Sequence, residues 1–291
     1  MTYSVQRSNS YTLRVTCPAT LGLVARVTGH LARKGCYLDE LAQYDDQDTH
    51  RFFMRCLFTA PSSDPPIEEI LDEDFAHLAS ENSMDWRIRR TDQRHRVLLL
   101  VSKFDHCLRD LLYRWEKQEL AMEVVGIVSN HDAMASVAAR YGVPYVDIPV
   151  TNERKRQAES ELREVIREHR ADLVVLARYM QILSDELSRE LSGNCINIHH
   201  SFLPSFKGAA PYVQAHSRGV KLVGATAHYV TADLDEGPII EQDVRRIDHR
   251  YSAAEIQALG RDVEAAVLAR AVRAHLEDRV FIDGNRTVVF A

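Results

Sequence analysis

Asn197, His199, His228 and Asp235 have the side-chain types needed to polarise a carbonyl and manage a proton. They lie in the stretch Gly193 to Gly237, GNCINIHHSFLPSFKGAAPYVQAHSRGVKLVGATAHYVTADLDEG. An apolar run ending at His199 and a second from Lys221 to Val230 read there as two buried strands that end in a cleft. On a strand, Asn197 and His199 point the same way, whereas His200 points to the other face or begins the loop. An Asn amide can donate to a developing oxyanion, an imidazole can give or take a proton near neutral pH, and the Asp235 carboxylate can orient a water. No serine or cysteine in the segment has a recognisable base, so direct attack by an external nucleophile is the simpler chemistry. The spacing alone leaves other readings open. Each residue could be structural, and the histidines with Asp235 could hold zinc. The lack of HExxH spacing, and rings of His199 and His200 directed apart, count against that metal site.

Positioning these groups requires a sheet. Val97 to Val101, Val124 to Val128, Leu173 to Leu176 and Cys195 to Ile198 are near-continuous apolar runs. Helical patterns at Leu108 to Gln118, Ala133 to Tyr141 and Glu153 to His169 separate them. That alternation predicts a doubly wound, mostly parallel α/β sheet with its site at the carboxyl ends of the strands. Lys221 to Val230 and Ile239 to Ile247 extend the sheet. Ser252-Ala-Ala-Glu255 is a capping box opening a helix to about His275, and Asp283-Gly284 marks a closing hairpin. Ahead of this region, Tyr11 to Cys17, Leu21 to Lys34, Tyr37 to Tyr44, His50 to Thr59, Ile67 to Ser80 and Met84 to Arg89 alternate as βαββαβ. This is a ferredoxin-like order that gives an antiparallel four-stranded sheet under two helices. The expected domains are 1–90 and 96–291, joined by the polar linker 91–95.

Bulk properties narrow the partners. A chain of 291 residues, 45% apolar, can fill two cores. Its net charge of −6 comes from mixed signs with no basic block, which argues against nucleic acid. No apolar stretch suits a bilayer and no leader is evident, so no membrane partner and a cytoplasmic location are expected. Five scattered cysteines without CxxC spacing point to reduced thiols.

The segment YTLRVTCPATLGLVARVTGHLARKGCYLDE resembles an ACT domain. That resemblance implies a homo-oligomer paired through the domain and allows an amino-acid effector. The family's usual acidic residue after Cys17-Pro18 is Ala19 here, which counts against such an effector. Farther on, Asn197-Ile198-His199, Ser201-Phe202-Leu203-Pro204-Ser205-Phe206-Lys207-Gly208, Gly224-Ala225-Thr226-Ala227-His228-Tyr229-Val230 and Leu234-Asp235-Glu236-Gly237-Pro238 resemble the folate-dependent formyltransferases. The resemblance spans about Arg96 to His249. It implies catalytic roles for Asn197, His199 and Asp235, a folate pocket formed by Met180, Gln181, Ile182 and Leu183 with Thr231, Ala232 and Asp233, and His200 and His228 as supporting groups. The glycine-rich phosphate turn of the transformylases is missing, since Val97 to Val101 runs into Ser102-Lys103-Phe104-Asp105-His106-Cys107-Leu108. With that segment, with His200 where transformylases commonly carry Pro, and with the ACT-like region, the chain resembles the formyltetrahydrofolate deformylases. The implied reaction is hydrolysis of 10-formyltetrahydrofolate to tetrahydrofolate and formate, with no tightly bound cofactor and no metal. A transferase acting on a small amine, or an amino-acid sensor with a vestigial catalytic domain, are the alternatives.

Overall fold

The computed structural model describes residues 9–61, 75–203 and 211–291. These fall into two compact units, one running to Gln93 with Glu277–Phe281 and Phe290–Ala291, the other Arg94–Leu276 with Ile282–Val289. Part of the helix expected from Ile67, and the motif residues Pro204 to Gly208, lie outside the described residues.

The first unit contains β1 (Ser10–Pro18), α1 (Leu23–Arg33), β2 (Tyr37–Asp46), β3 (Arg51–Thr59), α2 (described over residues 75–81) and β4 (Asp85–Arg90). Its strands lie in the order β2-β3-β1-β4, every neighbouring pair antiparallel. Leu23, Val27 and Leu31 recur on one face of α1, as a helical period requires. They join Leu13, Val15, Phe58 and Phe75 in a single core. Alternation along the strands sends Arg14, Phe53, Arg55 and Arg89 to the opposite face. There Arg14 donates to Val280 O at 2.6 Å, Arg55 to Glu277 O at 3.0 Å and Arg89 to Asp278 at 2.8 Å, while Phe281 meets Phe53 edge-on. These contacts are why 277–281 group with this unit, although the sequence reads as one domain from 96 to 291.

The second unit begins with β5 (His95–Val101), α3 (His106–Glu116), β6 (Met122–Ser129), α4 (Ala135–Tyr141), β7 (Tyr145–Asp147) and α5 (Lys155–Glu168). It continues through β8 (Leu173–Leu176), α6 (Asp185–Glu190), β9 (Cys195–His199), α7 (Pro211–Ser217), β10 (Leu222–Tyr229), β11 (Ile239–Arg246) and α8 (Ala253–Leu276). A hairpin of β12 (Val280–Asp283) and β13 (Arg286–Val289) closes the chain, turning at Gly284 with φ 62°. The sheet order is β11-β10-β9-β8-β5-β6-β7, parallel from β9 to β7 and antiparallel at β10 and β11. The mostly parallel α/β architecture expected from the apolar runs is the one observed. The short elements β7, α6 and α7 were not legible. None is long enough to show a period, and α6 depends on one cap, the Ser184 hydroxyl accepting from Leu187 N at 3.3 Å. The capping box of α8 is present, with Ser252 N donating to Glu255 Oε2 at 2.8 Å and Glu255 N to Ser252 Oγ at 3.3 Å. No helix among the described residues is long and apolar enough to cross a membrane. All five cysteines are buried and unbridged.

Candidate active site

The site is built on the antiparallel pair β9–β10. Its register sets Asn197 opposite His228 and His199 opposite Thr226, so these side chains share one face. Thr226 donates its hydroxyl to Ser201 O at 3.0 Å and accepts from Leu203 N at 3.1 Å, which pins the chain where it leaves β9. His228 is 2% exposed, and its Nδ1–H donates to Tyr229 O at 2.8 Å. With the proton fixed there, Nε2 presents a lone pair to Asn197 Nδ2, 3.2 Å away, and orients that amide.

Asp235 comes from the loop after β10 and adopts φ 58°. The loop returns tightly. A Cβ on Gly237 would lie 1.8 Å from Tyr229 O, so only glycine fits, and Tyr229 N donates to Pro238 O at 3.0 Å. The turn brings Asp235 Oδ1 to 3.2 Å from His199 Nδ1 and 3.7 Å from His228 Nε2. Burial alone would push the Asp235 carboxyl up, but hydrogen bonding to the His199 imidazole outweighs it and holds the group well below the usual carboxylate range. Asp235 is therefore a carboxylate throughout the neutral range.

His200 departs from expectation. Its ring is stacked on that of His199, with centroids 4.9 Å apart and 18° between planes, so the two rings are not directed apart. Strand alternation ends with β9 at His199, and Arg178 Nη1 approaches His200 Nδ1 to 2.7 Å and sets the ring from outside the strand. Burial first, then Arg178, then His199 push the His200 imidazole down to about 4.

An open cleft adjoins these groups. Asn197, His228 and Asp235 line it, with Gln181, Ile182 and Leu183 on one wall and Thr231, Ala232 and Asp233 on another. Two expected residues are not in the lining. Met180 has φ 52° and is 54% exposed, turned to solvent, and His199 reaches the site through Asp235. Leu176, which opens the loop matched to the family's folate pocket, also lines the cleft, as do Ser188, Val230 and Leu234, for which no pocket role was expected.

The loop after β8 carries backbone strain, with Arg178 at φ 66° as well as Met180. The glycine-free turn after β5 holds it. Ser102 N donates to Arg178 O at 3.1 Å, and the Ser102 hydroxyl lies against Tyr179 O and, at 2.6 Å, Asn130 Oδ1. Behind His200, Arg178 Nε is 3.3 Å from Glu264 Oε2, whose carboxylate also meets His106 Nε2 at 2.8 Å and the Tyr212 hydroxyl. Glu264 was missed, although it had a signal. It sits with Gly260, Leu268 and Val272 at four-residue spacing on the buried face of α8, where a charge is out of place. His106, Cys107 and Glu264 could offer ligand atoms to one ion, but the guanidinium and the tyrosine already occupy the carboxylate.

A formyl transferase family model matches residues 95–272. Over nearly its whole length the chain is 50% identical to a formyltetrahydrofolate deformylase of Corynebacterium sp. (strain P-1), covering 96% of this chain and 97% of that one. The crystal structure of formyltetrahydrofolate deformylase from Burkholderia mallei superposes with a TM-score of 0.92 at 52% identity, covering 97% and 100% of the two chains. The corresponding structure from Pseudomonas putida gives 0.92 at 45% identity, covering 97% and 100%.

Proposed function

This chain belongs to the formyl transferase family and, within it, to the formyltetrahydrofolate deformylases, and from that premise we propose how its residues carry the reaction. The protein is a hydrolase that converts 10-formyltetrahydrofolate and water to tetrahydrofolate and formate. The observation that carries the reading of the site is the placement of Asn197, His228 and Asp235 together on one open cleft, with Asp235 ionised.

The folate enters between residues 181–183 and 231–233, where apolar side chains face its ring and the polar groups of Gln181, Thr231 and Asp233 meet its edges. The Asp235 carboxylate orients a water beside the formyl carbon and takes a proton as the water attacks. Charge then develops on the formyl oxygen. Asn197 donates to it with the amide hydrogen that His228 does not use, and His199, whose Nδ1 lies 3.2 Å from Asp235, steadies the carboxylate. Proton delivery to N10 lets the tetrahedral intermediate collapse, with the C–N bond breaking to give formate and tetrahydrofolate. The step needs water and substrate alone, with no tightly bound cofactor or metal.

The first unit is the ACT-like module, and pairing through it into a homo-oligomer is part of the same proposal. Tyr37, Leu41 and Tyr44 are exposed on its edge strand β2, which supports that pairing. An amino-acid effector would bind at the same module, and a cytoplasmic location suits five unbridged thiols. The reading of the reaction is tested by incubating the protein with 10-formyltetrahydrofolate and no added amine. Formate released in proportion to tetrahydrofolate is the expected result, and release that depends on an amine overturns it.

A further inference from the structure

The stacked imidazoles of His199 and His200 are chemically alike, yet they face opposite charges. His199 Nδ1 meets the Asp235 carboxylate at 3.2 Å, whereas His200 Nδ1 meets the Arg178 guanidinium at 2.7 Å. A guanidinium donates and never accepts, so His200 Nδ1 must accept and the single proton of that ring sits on Nε2. Arg178 cannot swing away. Its Nε is 3.3 Å from Glu264 Oε2, its backbone is tied to Ser102, and its side chain is 9% exposed against 1% for Glu264. Glu264 is itself clamped by His106 and by Tyr212, whose ring lies so close over Gly260 that a Cβ there would stand 2.2 Å from it.

We propose that Arg178, anchored by Glu264, is a positioning residue that keeps His200 neutral with its proton on Nε2, and so confines the mobile proton of the stacked pair to His199. This deepens the reading of His199 and Asp235 given above and rests on it. Two titratable groups in contact, pushed apart by their surroundings, acquire separate acid–base roles. The groups that face His200 are Arg178 from the loop after β8, His199 from β9, Tyr212 from α7, Asp235 from the loop after β10 and Glu264 from α8. Burial first, and then the positive charge of Arg178, disfavour a second cation beside His199, and the imidazole of His200 is pushed down accordingly. The Nε2 atoms of both rings are buried and have no hydrogen-bond partner among the described residues.

Imidazole nitrogen NMR on histidine-labelled wild-type protein tests this without any activity measurement, with the His200 signals identified by their loss in His200→Gln. A neutral His200 protonated on Nε2 at pH 6 is expected; a cation, or the Nδ1–H tautomer, overturns the proposal even if Asp235 proves essential. The second arm is kinetic. Arg178→Gln keeps a donor but removes the charge, so kcat is expected to hold at pH 8 and to fall about tenfold relative to wild type at pH 6, with KM little changed. Arg178→Lys, which keeps the charge, should restore the wild-type profile. A loss equal at all pH values, or one confined to KM, overturns the positioning role.

Discussion

At the scale of single residues, the proposed mechanism puts the burden on Asp235. It is held ionised by the His199 imidazole against the pull of burial. Asp235→Asn retains the shape and loses the base, so kcat is expected to fall by about 10² to 10⁴ with folate binding retained, measured by formate release and by folate titration. Because its pKa in the folded state is depressed, Asp235 contributes stability above the carboxylate's ordinary value and loses it as pH falls. The stability gap between wild type and Asp235→Asn should therefore be constant from neutral pH to about 5 and close below about 4 in urea titrations. On the proposed mechanism Asn197→Ala removes a donor to the developing oxyanion, so kcat should fall by roughly 10² to 10³ with little change in KM. The closeness of His199, Asn197 and His228 to Asp235 was legible because the formyltransferase motifs carry these residues together. The orientation of His200 was not, since strand alternation says nothing about a ring that a distant arginine sets.

The elements read differently. Periods of two and 3.6 residues located the long strands and α1, and Ser252 with Glu255 marked the start of α8. Elements of three to seven residues, β7, α6 and α7, had no period to show. The loop at Gly237 is where an element and the site meet. Gly237→Ala would drive a methyl into Tyr229 O and displace Asp235 from His199. A loss of kcat together with a lowered melting temperature is expected, since Gly237 is buried and the methyl would meet backbone. Ser252→Ala, far from the cleft, should instead cost about 1 kcal/mol in denaturant titrations with kcat intact.

For the whole molecule, charge, length and cysteine usage bounded the protein class, and the order of strand types gave both sheets. What sequence could not give was the division at the C-terminus, where 277–281 leave the second unit for the first through backbone carbonyls that arginines on β1 and β3 capture. Arginine-to-carbonyl pairing leaves no pattern in either partner. If the exposed face of β2 pairs with a second copy, Tyr37→Lys with Tyr44→Lys should shift the protein to smaller species in sedimentation while kcat stays near wild type. The register of β9 on β10 has a further consequence. Asn197 faces His228 because the strands are paired at that step, and a slip of one residue would turn the paired side chains to the opposite face. A misregistered molecule would thus have no site instead of a poorer one. After refolding, lost activity should appear as a smaller fraction of fully competent molecules, each with an unaltered KM, so that titration with a tight folate analogue counts the correctly threaded chains.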